Sequence, residues 1–344
     1  MEIQAFKKRF DVVLEKLLKR TIAPYRKLTQ DPFILEAIEY TDTLLLSGGK
    51  RVRPYIAWLA YKACGGKRDA YALEVIAGLE LFHAFALVHD DIMDRGTERH
   101  GVATAHIYIE RRMRELKRTG DLAHLGEAQA ILLGDLLFAW ASNQFAGTSA
   151  WPVFRQMVDE VMIGQMIDVD VMTRDVVDDQ LLNEKMRLKT ASYSFVRPMQ
   201  LGAALAGNKA SFMRFCEAYG FPLGMAFQIQ DDLLDITTPS AETGKTAFSD
   251  LRDGQHTIFS QYIAYHSKRE IRQALNRFWK KPLTEKDRPQ VIELFESSGA
   301  FAHGKMLIEG YFQESFEALD RAKLSVAHAK SFNGLIEYIR GRVA

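Results

Sequence analysis

The sequence predicts an all-α protein. Apolar residues recur with helical rather than alternating spacing along most of the 344 residues, only nine prolines interrupt them, and no convincing strand or hairpin signal appears. Hydrophobic residues make up 47% of the chain, ample for a large interior. The length exceeds that of a typical single domain, yet no break is long or linker-like enough to divide it, so one domain over 1–344 is expected.

Taken in order, the first helix is expected over 3–20, where MEIQAFKKRFDVVLEKLLKR is amphipathic and charged on one face. It lacks the continuous apolar core of a secretory signal. Helices follow over 33–46 and 53–64, separated by SGGKRVRP at 47–54. The next, 69–93, is apolar nearly all round through 71–89 and ends in aspartates. After 104–117 comes the break KRTGDLAHLG at 117–126, then helices over 127–146, 152–172, 178–205 and 209–236. The stretches 129–146 and 212–230 are again apolar nearly all round, which predicts central rather than surface positions. Beyond TTPSAETGKTAFSD at 237–250, helices are expected over 256–280, 286–297, 300–321 and 325–340.

The formal net charge of +1 gives no support for a nucleic-acid partner, so any basic site must be local. Cys64 and Cys216 are isolated, which offers neither a disulfide framework nor a zinc cluster and suits a reducing cytosol. No stretch reaches the roughly 18 uninterrupted apolar residues of a membrane span.

The chemistry concentrates in LELFHAFALVHDDIMDRGTERHG, 79–101, where an apolar run ends in Asp90, Asp91 and Asp94. At about 100° per residue, Asp90 and Asp94 share a helical face and Asp91 flanks it. Clustered carboxylates at the end of an apolar run are costly to desolvate without a positive partner, and oxygen-only ligands point to a hard cation such as Mg2+. A lone DDxxD reads as a solvated acidic helix end. Here the pattern recurs in GMAFQIQDDLLD with Asp231, Asp232 and Asp235, and two copies with such apolar approaches argue against that reading. In GGKRVR, two glycines precede Lys50, Arg51 and Arg53 at a helix start, an arrangement that suits a phosphate, although alone it reads equally as a charged surface turn.

Together, GGKRVR at 48–53, DDIMD at 90–94, RHG at 99–101, GQMID at 164–168, KT at 189–190, FQIQDDLLD at 227–235 and GKTAFSD at 244–250 resemble the trans-isoprenyl diphosphate synthases, the farnesyl and geranylgeranyl diphosphate synthase group. The match runs in order from about 40 to 260, and the paired aspartate motifs with GGKxxR are its specific part. The resemblance implies the isoprenoid synthase fold, a large helical bundle around a central cavity, and a homodimer. It implies head-to-tail condensation of isopentenyl diphosphate with an allylic diphosphate, dependent on Mg2+, with about three ions when substrate is bound.

Carried over by position, Asp90, Asp94 and Asp231 would hold Mg2+ on the allylic diphosphate, supported by Asp91, Asp232 and Asp235. Arg99, Lys189 and Lys245 would bind that diphosphate. Lys50, Arg53, His83 and the residue at 100 would hold isopentenyl diphosphate. Thr190 and Gln228, with Gln165 and Asp168, would line the reacting centre. Physically, metal ions and fixed cations stabilise negative charge on the departing diphosphate, side-chain oxygens of Thr190 and Gln228 suit the carbocation, and a water-poor cavity protects it. No protein base is obvious, which leaves the departed diphosphate to remove the proton.

His83 lies seven residues before Asp90, the same helical face to within roughly 20°, whereas His89 reads as an ordinary hydrogen-bonded core histidine. Phe85 and Phe82, five and eight residues before Asp90, sit about 7 to 12 Å below the carboxylates. Both also read as plain core. In the family, a large aromatic at the fifth position before the motif stops elongation. With Phe85 present and small Ala86 beside it, geranylgeranyl diphosphate is the expected product ahead of farnesyl diphosphate.

Three positions depart from the family pattern. His100 stands where a second arginine is usual, Gln255 where a lysine is usual, and Phe248 where a glycine is usual. Histidine, with an ordinary pKa near ~6.5, loses a permanent charge, so weaker isopentenyl diphosphate binding that strengthens as pH falls is expected, with His100→Arg flattening that dependence. Gln255 donates a hydrogen bond without charge. The stretch 113–126 is longer than the family pattern needs. A class I terpene cyclase fits less well, because its second metal motif mixes Asn, Ser or Thr with Glu, and head-to-head synthases carry DxxxD-like motifs. A non-catalytic subunit commonly loses aspartates that are present here.

Overall fold

The structure is a computed structural model that describes residues 2–99, 101–207, 210–239 and 248–341. Helix α1 (Ile3–Ile22) buries Phe6, Phe10, Leu14, Leu17 and Leu18 along one stripe and leaves its charged face outward, as its amphipathic pattern requires. After a single turn, α2 (Tyr25–Leu28), the Asp31 carboxylate accepts the Ile34 N–H and starts α3 (Pro32–Leu46). Helices α4 (Val52–Ala63), α5 (Asp69–Ile76) and α6 (Gly78–Met93) follow. The single helix expected over 69–93 is thus broken at Ala77, where Gly78 seats against Gln144 and Phe145: a β-carbon there would lie 2.8 Å from Phe145.

Beyond α6, Glu98–Arg99 and Val102–Ala103 pair as a two-residue antiparallel ribbon, which the sequence reading did not anticipate because strands this short carry no alternating pattern. Helix α7 (Ala105–Glu115) leads to α8 (Leu122–Phe145), which begins five residues earlier than expected because Asp121 caps it on the His124 N–H. Part of the long stretch 113–126 is therefore the first turn of α8. Helices α9 (Trp151–Val171), α10 (Asp179–Met186), α11 (Arg197–Leu205) and α12 (Ala210–Thr237) complete the central group. Between α10 and α11, Arg187–Val196 is a π-helix, so the run expected as one α-helix over 178–205 is continuous but widened in its middle. The remainder comprises α13 (Ser249–Asp253), α14 (Ile258–His266), α15 (Arg269–Leu275), α16 (Arg288–Ser297), α17 (Ala300–Arg321) and α18 (Val326–Arg340). The helix expected over 256–280 divides at Ser267.

One continuous apolar cluster extends from Phe6 to Ile339. Its main packings are α6 on α8, α12 on α17 and on the π-helix, α4 on α11, and α9 on the π-helix. The expectation that 129–146 is central is corrected: α8 packs one face on α6 and α7 but exposes Leu125, Ile131 and Leu132, and only 28% of its most apolar stretch is buried. By contrast, 72% of the corresponding stretch in 69–93 is buried.

Candidate active site

The carboxylate ends of α6 and α12 face a cleft whose walls include Asp94 and Asp232. The remaining wall comes from α10 with the π-helix, which supplies Lys185, Lys189 and Thr190, and from the segment around α13, which supplies Asp250, Asp253 and Gln255.

The π-helix fits a narrow space. A β-carbon at Gly164 of α9 would meet the Lys189 backbone nitrogen at 2.5 Å, and one at Gly224 of α12 would meet Ala191 Cα at 2.4 Å. Only glycine lets both neighbours approach a widened helix this closely. The segment closes where the Arg197 N–H reaches back to the Ser192 carbonyl, one residue before Pro198, which has no N–H to offer. Glu160 braces it from α9, accepting the Ser192 hydroxyl and an Arg197 fork at 2.5 and 2.8 Å.

Asp90 stands among three of the expected partners. Gln165 donates to it at 3.0 Å, Lys189 Nζ lies 3.6 Å away and the Arg99 guanidinium 3.9 Å. Arg99 donates at 2.6 and 2.9 Å to Asp91, which is buried and does not line the cleft. The structure thus places Asp91 as the seat of Arg99. Lys189 Nζ lies 2.5 Å from Asp168. Burial alone would lower this ammonium, but Asp168 and Asp90 outweigh it and hold it well above the usual lysine range. Burial likewise opposes ionisation of Asp168, yet Lys189 and Lys185 outweigh it and keep the carboxyl below its ordinary value.

Within the second motif, Asp232 is buried in the cleft wall and accepts the Gln228 amide at 2.7 Å. Gln228 Oε1 accepts the Thr190 hydroxyl at 2.5 Å, so Thr190, Gln228 and Asp232 form one chain across the cleft. Asp231 is half-buried on the same helix but is not in the cleft wall. Asp235 accepts the Ser249 N–H and hydroxyl at 3.1 and 2.7 Å and the Asp250 N–H at 3.1 Å, capping the short helix that carries Asp250 and Asp253. Burial, reinforced by Asp90, pushes the Asp94 carboxyl up to about 7. Burial also pushes Asp232 up to about 7, with Asp231 and Asp235 adding to it. Acidic oxygens held at this energetic cost fit a hard divalent cation. Among the described residues no three such ligands are gathered at one point.

Tyr193 joins two of the residues expected to hold isopentenyl diphosphate. His83 Nδ1 lies 2.9 Å from its hydroxyl, and the Arg53 guanidinium stacks 4.4 Å over its ring while donating to Ser194 at 2.8 Å. Lys50 is exposed. Arg51 is engaged within the fold. It is buried at a left-handed φ of 53°, where it donates to Asp11 at 2.8 Å, Glu80 at 2.6 Å and the Leu45 carbonyl at 2.6 Å. It thereby ties α1 and α6 to the glycine turn.

Phe82 and Phe85 are both buried, 5.4 Å apart, and join Phe138 of α8. Phe82 also meets Phe154 and Tyr193. Ala86 is half-buried, on the turn between His83 and Asp90. His89 hydrogen-bonds the Ile131 carbonyl at 3.1 Å, as its core reading expects.

Phe248 explains the usual glycine at its position: its φ is +55°, in the left-handed region. The phenylalanine is accommodated because its ring is fully buried, with the Arg288 guanidinium 4.5 Å above it. His100 and Lys245 lie outside the described residues. Lys185, Tyr193 and Asp253 were missed by the sequence reading; the one local signal is that Lys185 lies four residues before Lys189, on the same helical face.

Comparison with known proteins agrees with this geometry. The family model for polyprenyl synthetase matches residues 34–295. The chain is 30% identical to a geranylfarnesyl diphosphate synthase of Aeropyrum pernix over 316 residues, covering 87% of this chain and 92% of that protein. It is 30% identical to a geranylgeranyl diphosphate synthase of Methanosarcina mazei over 285 residues, 80% and 81% of the two chains. A crystal structure of geranylgeranyl pyrophosphate synthase from Corynebacterium glutamicum, complexed with isoprenyl diphosphate and magnesium, superposes with a TM-score of 0.89 at 27% identity, covering 97% of this chain and 99% of that one.

Proposed function

The chain belongs to the polyprenyl synthetase family, and from that premise we propose that it joins isopentenyl diphosphate head to tail to an allylic diphosphate, with geranylgeranyl diphosphate as main product and farnesyl diphosphate next. It is a prenyltransferase. The observation that carries the reading is the cleft between the two aspartate-bearing helix ends, with Lys189 positioned between Asp168 and Asp90.

Asp90 and Asp94 at the end of α6, with Asp231 and Asp232 of α12, would hold Mg2+, in about three ions once substrate is bound. The metal supplies charge that stabilises the departing diphosphate. Lys189 adds a fixed cation on the same side, and Arg99, oriented by Asp91, adds another. The Thr190 hydroxyl and Gln228 amide direct oxygen dipoles toward the allylic carbon, and Asp232 holds Gln228 in register. Arg53 and His83, held by Ser194 and Tyr193, receive isopentenyl diphosphate so that its double bond meets that carbon. The proton released on forming the new double bond passes to the departed diphosphate, since none of the named site residues is an obvious base.

We also read the chain as one domain and as a homodimer. The exposed apolar face of α8, with Ile131 44% and Leu132 59% exposed, is the surface that a second copy would cover. A cytosolic setting accords with Cys64 and Cys216 forming no disulfide.

Incubation of the purified protein with Mg2+, isopentenyl diphosphate and each of dimethylallyl, geranyl and farnesyl diphosphate tests the reading. Elongated product ending at geranylgeranyl diphosphate is expected. Absence of any elongated product would overturn it, and cyclised hydrocarbon made without isopentenyl diphosphate would point to a cyclase.

A further inference from the structure

Lys185 is buried at the end of α10, in the cleft wall, with its Nζ 3.2 Å from Asp168 Oδ1 and 3.0 Å from the His256 carbonyl. The third neighbour of this ammonium is Gln255 Oε1, at 3.4 Å. Asp168 also holds Lys189 at 2.5 Å and accepts the Gln255 amide at 3.2 Å. One buried carboxylate is therefore shared by two ammonium groups, of which Lys189 also reaches Asp90 at 3.6 Å. A second buried cation is costly unless an anion arrives to meet it. Lys185 and Lys189 are the cations among the described residues of the cleft wall.

Residue 255 is where the family resemblance leads one to expect a lysine, and glutamine supplies no charge there. Yet an ammonium does stand at the tip of that side chain, delivered from the opposite wall by Lys185. We infer that Lys185 is a diphosphate-binding residue of this enzyme, contributing from α10 the cation that residue 255 does not. Gln255 makes the longest of these contacts with Lys185 and carries no charge, so a phosphate oxygen can displace it while Asp168 and His256 keep the lysine in place. The relocation is legible only in three dimensions, because 70 residues separate the two positions.

The inference rests on the proposed reading that the cleft takes a diphosphate, and the test separates the two. Binding of inorganic pyrophosphate with Mg2+ is measured by calorimetry for the wild type, Lys185→Met, Gln255→Lys and Lys185→Met/Gln255→Lys, and KM for each substrate is determined alongside. Lys185→Met should weaken pyrophosphate binding and raise the allylic KM by roughly tenfold or more, with the KM for isopentenyl diphosphate little changed. Adding Gln255→Lys should recover most of both losses, an outcome that a merely structural lysine would not produce. Asp168 keeps Lys189 in either variant, so the fold should persist; thermal melting checks this. If wild type binds pyrophosphate and makes product while Lys185→Met binds within about twofold of it, or if the double variant is folded but not rescued, the inference fails and the reading stands. If wild type neither binds pyrophosphate nor elongates, both fail.

Discussion

Gly164 of α9 lies directly against the backbone of Lys189: a β-carbon on it would stand 2.5 Å from the Lys189 nitrogen and 2.9 Å from its Cα. A helix-to-helix contact this close sets where the ammonium reaches Asp168 and Asp90. Gly164→Ala should displace the π-helix and lower kcat by roughly a hundredfold, the scale of an ångström-sized misplacement, while the protein remains helical. Steady-state kinetics with circular dichroism checks this, and an unchanged kcat would show that Lys189 is not positioned through the contact.

The raised carboxyls of Asp94 and Asp232 predict a pH-dependent stability without metal. Both are pushed up to about 7 from 3.8, chiefly by burial, so between these values the folded state binds more protons than the unfolded one. Stability of the chelated protein should therefore fall as pH rises from about 4 to 7. Mg2+ with pyrophosphate should reverse the trend above neutrality, where the carboxylates are ionised. Melting curves in chelator and in Mg2+ across that range decide; a chelated Tm that rises steadily toward pH 7 would reject it.

Phe248→Gly should destabilise the protein even though it relieves a left-handed φ of 55°. Relief is worth about 1 kcal/mol, whereas losing a fully buried phenylalanine costs about 3 kcal/mol or more. Chemical denaturation should show a net loss of about 2 kcal/mol or more. A gain in stability would show that the strain outweighs the ring.

Phe85→Ala should lengthen the product by opening the aromatic cluster with Phe82 and Phe138. Ala86→Phe, at the half-buried position next to Phe85 on the way to Asp90, should shorten it. Product chromatography reads both. An unchanged distribution in Phe85→Ala would reject Phe85 as the floor of the cavity.

Leu132→Asp on α8 should turn a dimer into a monomer with its helix content intact, because the residue is 59% exposed. Sedimentation at micromolar concentration measures this. A wild type that is monomeric, or a variant that stays dimeric, would place the interface elsewhere or nowhere.

Much of the protein was legible from its sequence. Helical periodicity located the helices, and the i, i+4 spacing of Asp90 and Asp94 put two carboxylates on one face, because both properties depend on a few consecutive residues. The same local logic set His83 on the helical face of Asp90 and gave His89 a hydrogen bond, which it makes to the Ile131 carbonyl. Tertiary structure decided what depends on partners far along the chain. It turned Asp91 into the seat of Arg99, made Asp235 the cap of α13, left one face of α8 open, and widened the helix under Lys189 where two glycines of other helices meet it. It also brought Lys185 to Gln255. Spacing along a helix is written into the chain, but which charges face one another across a cleft is set by packing between segments that no local pattern relates.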